Sequence, residues 1–348
     1  MKAKLIIWIG AILLAGCVSQ PPVTPAGSDT PAAMAYTAQP SPPFHTATPT
    51  ATRTLTLTPS PSLTLIPQVT CTRCGAVISS KTATASPSRT PTQTPSLTLG
   101  PEAWKKLPVI PGISAKVAMI YQRGLEAGKN PRAFSKIGDC GSTPAWFLGD
   151  FDRGPDFYRL GEYQHLEAVI QEFKGSFERT SLAARSGFNA PSLFVPLWSD
   201  RRFCQADEFP LACEYRVHSP AIAFIMLGTN DIWHPDEFEP QMRRIIEFSM
   251  DNGVIPILST KADDMEGNGS INATIARLAF EYEVPLWNFW LAVQSLPDYG
   301  LQEDLVHLTW GRNFFDDPDA MEKAWPIRNL TALQMLDAVW RKMTGQRD

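Results

Sequence analysis

Apolar residues recur at helical spacing through Ile113, Val117, Ile120, Tyr121 and Leu125, and Gly128 after Ala127 supplies a C-cap, so a helix is predicted ahead of the first strand. Ala133 to Gly138 follows as a short strand with one charge, Lys136. Tyr158 to Gly175 places Leu160, Tyr163, Leu166, Ile170 and Phe173 three to four residues apart and predicts an amphipathic helix. Ser181 to Val195 reads as a weak strand running into a loop that holds Gly187. Ala221 to Leu227 is a continuous apolar run, as expected of a strand buried on both faces of a parallel sheet. A helix over Phe238 to Asn252, closed by Gly253, leads to a second such strand, Val254 to Leu258. Helix Ile271 to Glu283, strand Val284 to Trp290 and helix Leu330 to Met343 complete the alternation. This order predicts an open α/β/α sandwich, with any ligand beyond the carboxyl ends of the strands.

The first hundred residues lack that pattern. Lys2 and Lys4 precede an apolar run from Leu5 to Leu14, which is too short to span a bilayer and has the layout of a secretory signal. Its end, Leu14-Ala15-Gly16-Cys17, resembles the lipobox of bacterial lipoproteins, which implies lipidation at Cys17 and a tether to the outer face of a membrane. Residues 18–100 are dominated by Thr, Ser, Pro and Ala and bury too little apolar surface to offset chain entropy, so a disordered stalk is expected there. Held extended at about 3.1 Å per residue, it would reach up to about 250 Å. Within it Cys71-Thr-Arg-Cys74 reads as a local disulfide loop. The expected organisation is therefore a signal over 1–17, a stalk over 18–100 and one α/β domain over 101–348. A net charge of −4 provides no basic field for nucleic acid.

Cysteine usage changes the picture at the end of the first strand. Of six cysteines, Cys17 is assigned to lipid, Cys71 pairs with Cys74, and Cys204 with Cys213 nine residues on. Cys140 is then the odd thiol, directly after Gly138-Asp139. Ser142 or Thr143 before Pro144 reads as an N-cap, which puts Cys140 near a helix N-terminus that favours a thiolate. A small buried hydrophobe is the plainer role for such a cysteine, and Ser142 is a rival nucleophile.

Gly138-Asp139-Cys140 at a strand end, then Ser186-Gly187-Phe188-Asn189, Gly228-Thr229-Asn230-Asp231 and Asp304-Leu305-Val306-His307, resemble in order and spacing the blocks of the SGNH (GDSL-type) esterases and lipases. The departure is Cys140 where that family has serine. The resemblance implies a three-layer sandwich with a flavodoxin-like parallel sheet and a triad of Cys140, Asp304 and His307. It also implies an oxyanion hole from the Cys140 and Gly187 amides and the Asn230 side chain, with Asn189 as an alternative position in the second block. No Gly-x-Ser-x-Gly elbow is present, which disfavours the larger α/β-hydrolase fold. Asp139, Trp146, Trp233, His234 and Trp310 follow motifs closely and are candidates for a substrate rim, the tryptophans favouring an acylated carbohydrate. Asp263 and Asp264 also follow a strand end. No cluster has metal-ligand spacing, and no cofactor is expected. The expectation is an extracytoplasmic, membrane-tethered hydrolase of small-molecule or polysaccharide esters. The alternative is a catalytically degenerate member that binds glycans or serves as a surface module.

Overall fold

The computed structural model describes residue 100 and residues 102–345. The signal, Cys17, the stalk and the Cys71/Cys74 pair lie outside the described residues. Helix α1 (Lys116–Glu126) precedes strand β1 (Asn130–Gly138). The long connection that follows carries α2 (Asp150–Arg153), β2 (Tyr158–Arg159), α3 (Glu167–Glu172) and α4 (Pro210–His218). Strand β3 (Pro220–Met226), α5 (Pro235–Asp251), β4 (Ile255–Ser259), α6 (Ser270–Tyr282) and β5 (Leu286–Trp287) then alternate. The chain closes with α7 (Phe289–Val293), β6 (Asn313–Phe314), α8 (Pro318–Met321) and α9 (Ala324–Thr344).

The main sheet runs in the order β1-β3-β4-β5, every pair parallel. All residues of β3 and β4 are buried, which requires cover on both faces; α1 and α3 pack on α9, and α5 packs on α6. Beyond β1, the Gly138 amide donates to the Ala183 carbonyl, and the Arg185 amide donates to the Gly138 carbonyl at 3.1 Å. Residues 183–185 thus hold the place of an added strand on the far side of β1 from β3, reduced to one bridge, which completes the flavodoxin-like arrangement. The register sets Gly138 beside Met226 and Ser259 beside Trp287, so the strand ends are level and their loops emerge on one side.

Two predicted elements differ. Tyr158 to Gly175 is not one helix: Tyr158 and Arg159 pair with Asn313 and Phe314, and Gly161 turns the chain at φ +56° before a 3-10 segment and α3. A side chain on Gly161 would meet Asp316 at about 3.1 Å, so the turn is fixed by a distant contact. Val284 to Trp290 is a strand for only two residues. The Asn288 side chain donates to the Trp104 and Leu107 carbonyls and accepts from the Thr260 hydroxyl, which ends β5 and starts α7.

Candidate active site

Gly138 closes β1 where a side chain cannot fit: a Cβ there would lie 2.2 Å from the Met226 carbonyl and 2.4 Å from the Ser142 hydroxyl, at a φ of +154°. Asp139 caps the turn that follows, accepting from the Gly141 amide at 2.9 Å. Cys140 to Ser142 is a three-residue 3-10 turn, and the Thr143 hydroxyl donates to the Cys140 carbonyl. No α-helix starts at Pro144, so the expected helix-terminus field behind Cys140 is absent. Ser142 is fully buried under the strand end and is not a rival nucleophile. Cys140 lines the pocket, and it is disulfide-bonded, to a partner that is not among the described residues. This corrects the odd-thiol expectation, which paired cysteines by nearness in sequence. Cys204 and Cys213 do bond to each other, with Cα atoms 5.3 Å apart. With Glu208 they form the one cluster of donor atoms among the described residues that could suit a metal, and their sulfurs are spent on the disulfide.

The second and third blocks are stapled together. The Asn230 side chain donates to the Phe188 carbonyl at 2.9 Å, and the buried Asp231 carboxylate accepts from the Ala190 amide at 2.8 Å and the Gly228 amide at 3.0 Å. Burial pushes the Asp231 carboxyl up to about 6 despite these two bonds. Gly187 takes φ +82° with open space around its Cα. Asn189 is turned away, its side-chain oxygen Oδ1 accepting from the Ser192 amide and hydroxyl, and the pocket is lined from these blocks by Ser186, Gly187, Thr229 and Asn230.

In the last block, Asp304 accepts at Oδ1 from the Val306 and His307 amides, and its Oδ2 lies 2.5 Å from His307 Nδ1. Burial acts to raise the Asp304 carboxyl, but the His307 ring and the two amides outweigh it and hold the group at about 2. An antiparallel bridge between Leu301 and Leu308 closes this loop. With Nδ1 held by Asp304, proton transfer falls to Nε2.

Cys140, Gly187, Asn230 and His307 line one cavity of about 430 Å³ at the strand ends. Asp139 lines it too, and burial raises its carboxyl against the nearby Arg328 charge. The other rim candidates do not line it. Trp146 stacks on Trp325 with ring centroids 5.5 Å apart, and Trp325 is the tryptophan in the wall. Trp233, His234 and Trp310 are exposed elsewhere. Asp263 is buried in the wall, accepting from Lys261 Nζ at 2.7 Å and from the Thr229 hydroxyl at 2.8 Å, while Asp264 is exposed. Sequence reasoning missed Lys261 and Arg328. A charge directly after the Ile255–Ser259 strand was the available signal for Lys261, whereas Arg328 lies within a helix and had none.

No family model and no curated protein matches the chain. Among solved structures, it is similar to a GDSL-like lipase from Bacteroides thetaiotaomicron at 15% identity, covering 64% of this chain and 98% of that one, with a TM-score of 0.38. It is likewise similar to a catalytic mutant of an acetylxylan esterase from Geobacillus stearothermophilus at 15% identity, covering 59% of this chain and 93% of that one, with a TM-score of 0.36.

Proposed function

We propose that the domain is an SGNH-type ester hydrolase whose nucleophile is the Cys140 sulfur once an external thiol has reduced its disulfide by thiol–disulfide exchange. The observation that carries the reading is the meeting of Cys140, Gly187, Asn230 and the Asp304-held His307 around one cavity at the strand ends. His307 takes the thiol proton, and the thiolate attacks the ester carbonyl carbon. The carbonyl oxygen becomes negative towards the Cys140 and Gly187 amides and the Asn230 side chain. Collapse breaks the carbon–oxygen bond, His307 returns the proton to the leaving alcohol, and water then cleaves the thioester by the same route. Asp304 keeps the proton on Nδ1 and stabilises the imidazolium that forms. The substrate class is a small-molecule or polysaccharide ester.

The disulfide at Cys140 favours a second reading, a binding module without turnover. Aryl-acetate hydrolysis with and without dithiothreitol separates the two. The enzyme reading expects turnover only after reduction, its loss in Cys140→Ala and with iodoacetamide, and a drop of about 10²–10³-fold in Asn230→Ala. No turnover by reduced wild type together with activity gained in Cys140→Ser establishes the disabled relative instead.

A further inference from the structure

Arg328, on α9, is the one pocket-lining cation among the described residues with no carboxylate within 4.0 Å. Lys261, the other cation in the wall, bonds to both Asp263 and Glu266. The guanidinium lies among the rings of Phe147, Phe289 and Trp325, whose centroids lie 5.3, 5.3 and 5.1 Å from its carbon. Of its five N–H donors, the one hydrogen bond formed is from Nη2 to the weak acceptor Met226 Sδ, at 3.2 Å. Its Nε is fully buried and has no partner. Nη1 faces Gly141, in the turn that carries Cys140: a Cβ on Gly141 would lie 3.2 Å from it and 3.3 Å from Asp139 Oδ1.

A guanidinium with idle donors in an aromatic cage is costly by itself, because each buried donor has lost its water. Its planar fork matches the two oxygens of a carboxylate, and the rings fix its plane while excluding solvent. Asp139 does not fill that place: it lies beyond ion-pair reach, and its Oδ1 is bonded to the Gly141 amide. Asp263 is compensated by Lys261. We propose that Arg328 is a carboxylate-recognition residue, so that the esters entering this pocket carry a free carboxylate close to the scissile bond. The proposal rests on the ester-hydrolase reading for its substrate class. The carboxylate could belong to the acyl group, as in a monoester of a dicarboxylic acid, or to the alcohol, as in an acylated uronic acid.

The test is calorimetric titration of the full chain with succinate against succinamide and with glucuronate against glucose, in wild type, Arg328→Gln and Arg328→Lys. The expected result is charged-ligand binding about 10–100-fold tighter than its neutral counterpart, erased by Gln and partly restored by Lys. Preference for succinate places the carboxylate on the acyl group, and preference for glucuronate places it on the alcohol. Should Arg328→Gln fail to fold, equal binding of charged and neutral ligands by wild type still overturns the proposal, and Arg328→Lys tests whether the preference weakens with loss of the guanidinium. Equal binding of charged and neutral ligands, or a preference that persists in Arg328→Gln, overturns the proposal. In the kinetic arm, the kcat/KM ratio of aryl monosuccinate to aryl acetate should fall by the same factor in Arg328→Gln. If carboxylates are selected but no ester turns over, the hydrolase reading falls and the Arg328 assignment stands. If esters turn over with no selection, the reverse holds.

Discussion

Lys136 lies on β1 two residues before the Gly138-Asp139-Cys140 turn and is wholly buried, its Nζ donating to the Phe177 carbonyl at 2.6 Å. Burial, reinforced by the like charge of Arg179, pushes its pKa from 10.5 down to about 7, although Glu214 pulls the other way. Between about pH 7 and 10.5 the unfolded chain therefore holds a proton that the native state has given up, and stability rises with pH across that window. The slope approaches 1.4 kcal/mol per pH unit, so this lysine should add roughly 3–4 kcal/mol between pH 7 and 10. In Lys136→Met that contribution is absent, and the Phe177 carbonyl loses its donor at a cost of about 1–3 kcal/mol. The two effects oppose each other near pH 7; by pH 10 the cost of deprotonating the lysine has largely gone and the lost hydrogen bond stands nearly alone. Urea unfolding at pH 7, 8, 9 and 10 measures both proteins, and subtracting the curves removes titrations common to them. The difference should grow steadily in favour of wild type as pH rises. A difference constant to within about 0.5 kcal/mol would mean that Lys136 stays protonated inside the fold, and the argument from burial would be wrong.

Asp231 should behave in the opposite sense. Its carboxyl is raised to about 6, so the native state keeps the proton longer than the unfolded chain, and the stability this contributes is present below about pH 4 and lost by pH 6. The wild-type-minus-Asp231→Ala difference in urea unfolding should fall by about 2 kcal/mol across that range, and a flat difference would contradict it. Opening the Cys204–Cys213 bridge by Cys204→Ala with Cys213→Ala releases a loop of sequence separation 9 and should lower unfolding stability by about 2–3 kcal/mol. An unchanged melting temperature would show that Ser199, Glu208 and Arg216, whose hydrogen bonds cross the same loop, suffice without it.

The strands were legible because β3 and β4 are buried throughout and their sequences are continuously apolar, a signal independent of distant contacts. The misread stretches depend on partners far along the chain: Tyr158 needs Asn313, and Asn288 needs Trp104 and Leu107. The convergence of Cys140, Gly187, Asn230 and His307 followed from the strand-end rule, since each lies in a loop on the side where the parallel strands finish. The bonding state of Cys140 was not legible, because sequence nearness does not report which sulfurs meet in space. Asp231 shows a related gap. It ends the Gly228-Thr229-Asn230-Asp231 motif, but its role as a staple appears only once the chain has brought the Ala190 amide within 2.8 Å of it.

The reduced strand beside β1 has a consequence for association between molecules. A full edge strand next to the pocket loop would offer its amides and carbonyls to any extended chain that came near. Here the Gly138 groups are taken by residues 183 and 185, the Phe134 amide by the Ser176 hydroxyl, and the Phe134 carbonyl by the Arg179 guanidinium at 2.7 Å. Arg179 is itself held by Glu214, which also accepts from the Ser135 hydroxyl and the Leu182 amide. Side chains thus stand where a backbone ladder would have been. They shield the flank of β1 from strand addition, while the loop carrying Gly187 is held to the sheet at one bridge and to the turn after β3 by the Asn230 and Asp231 side chains.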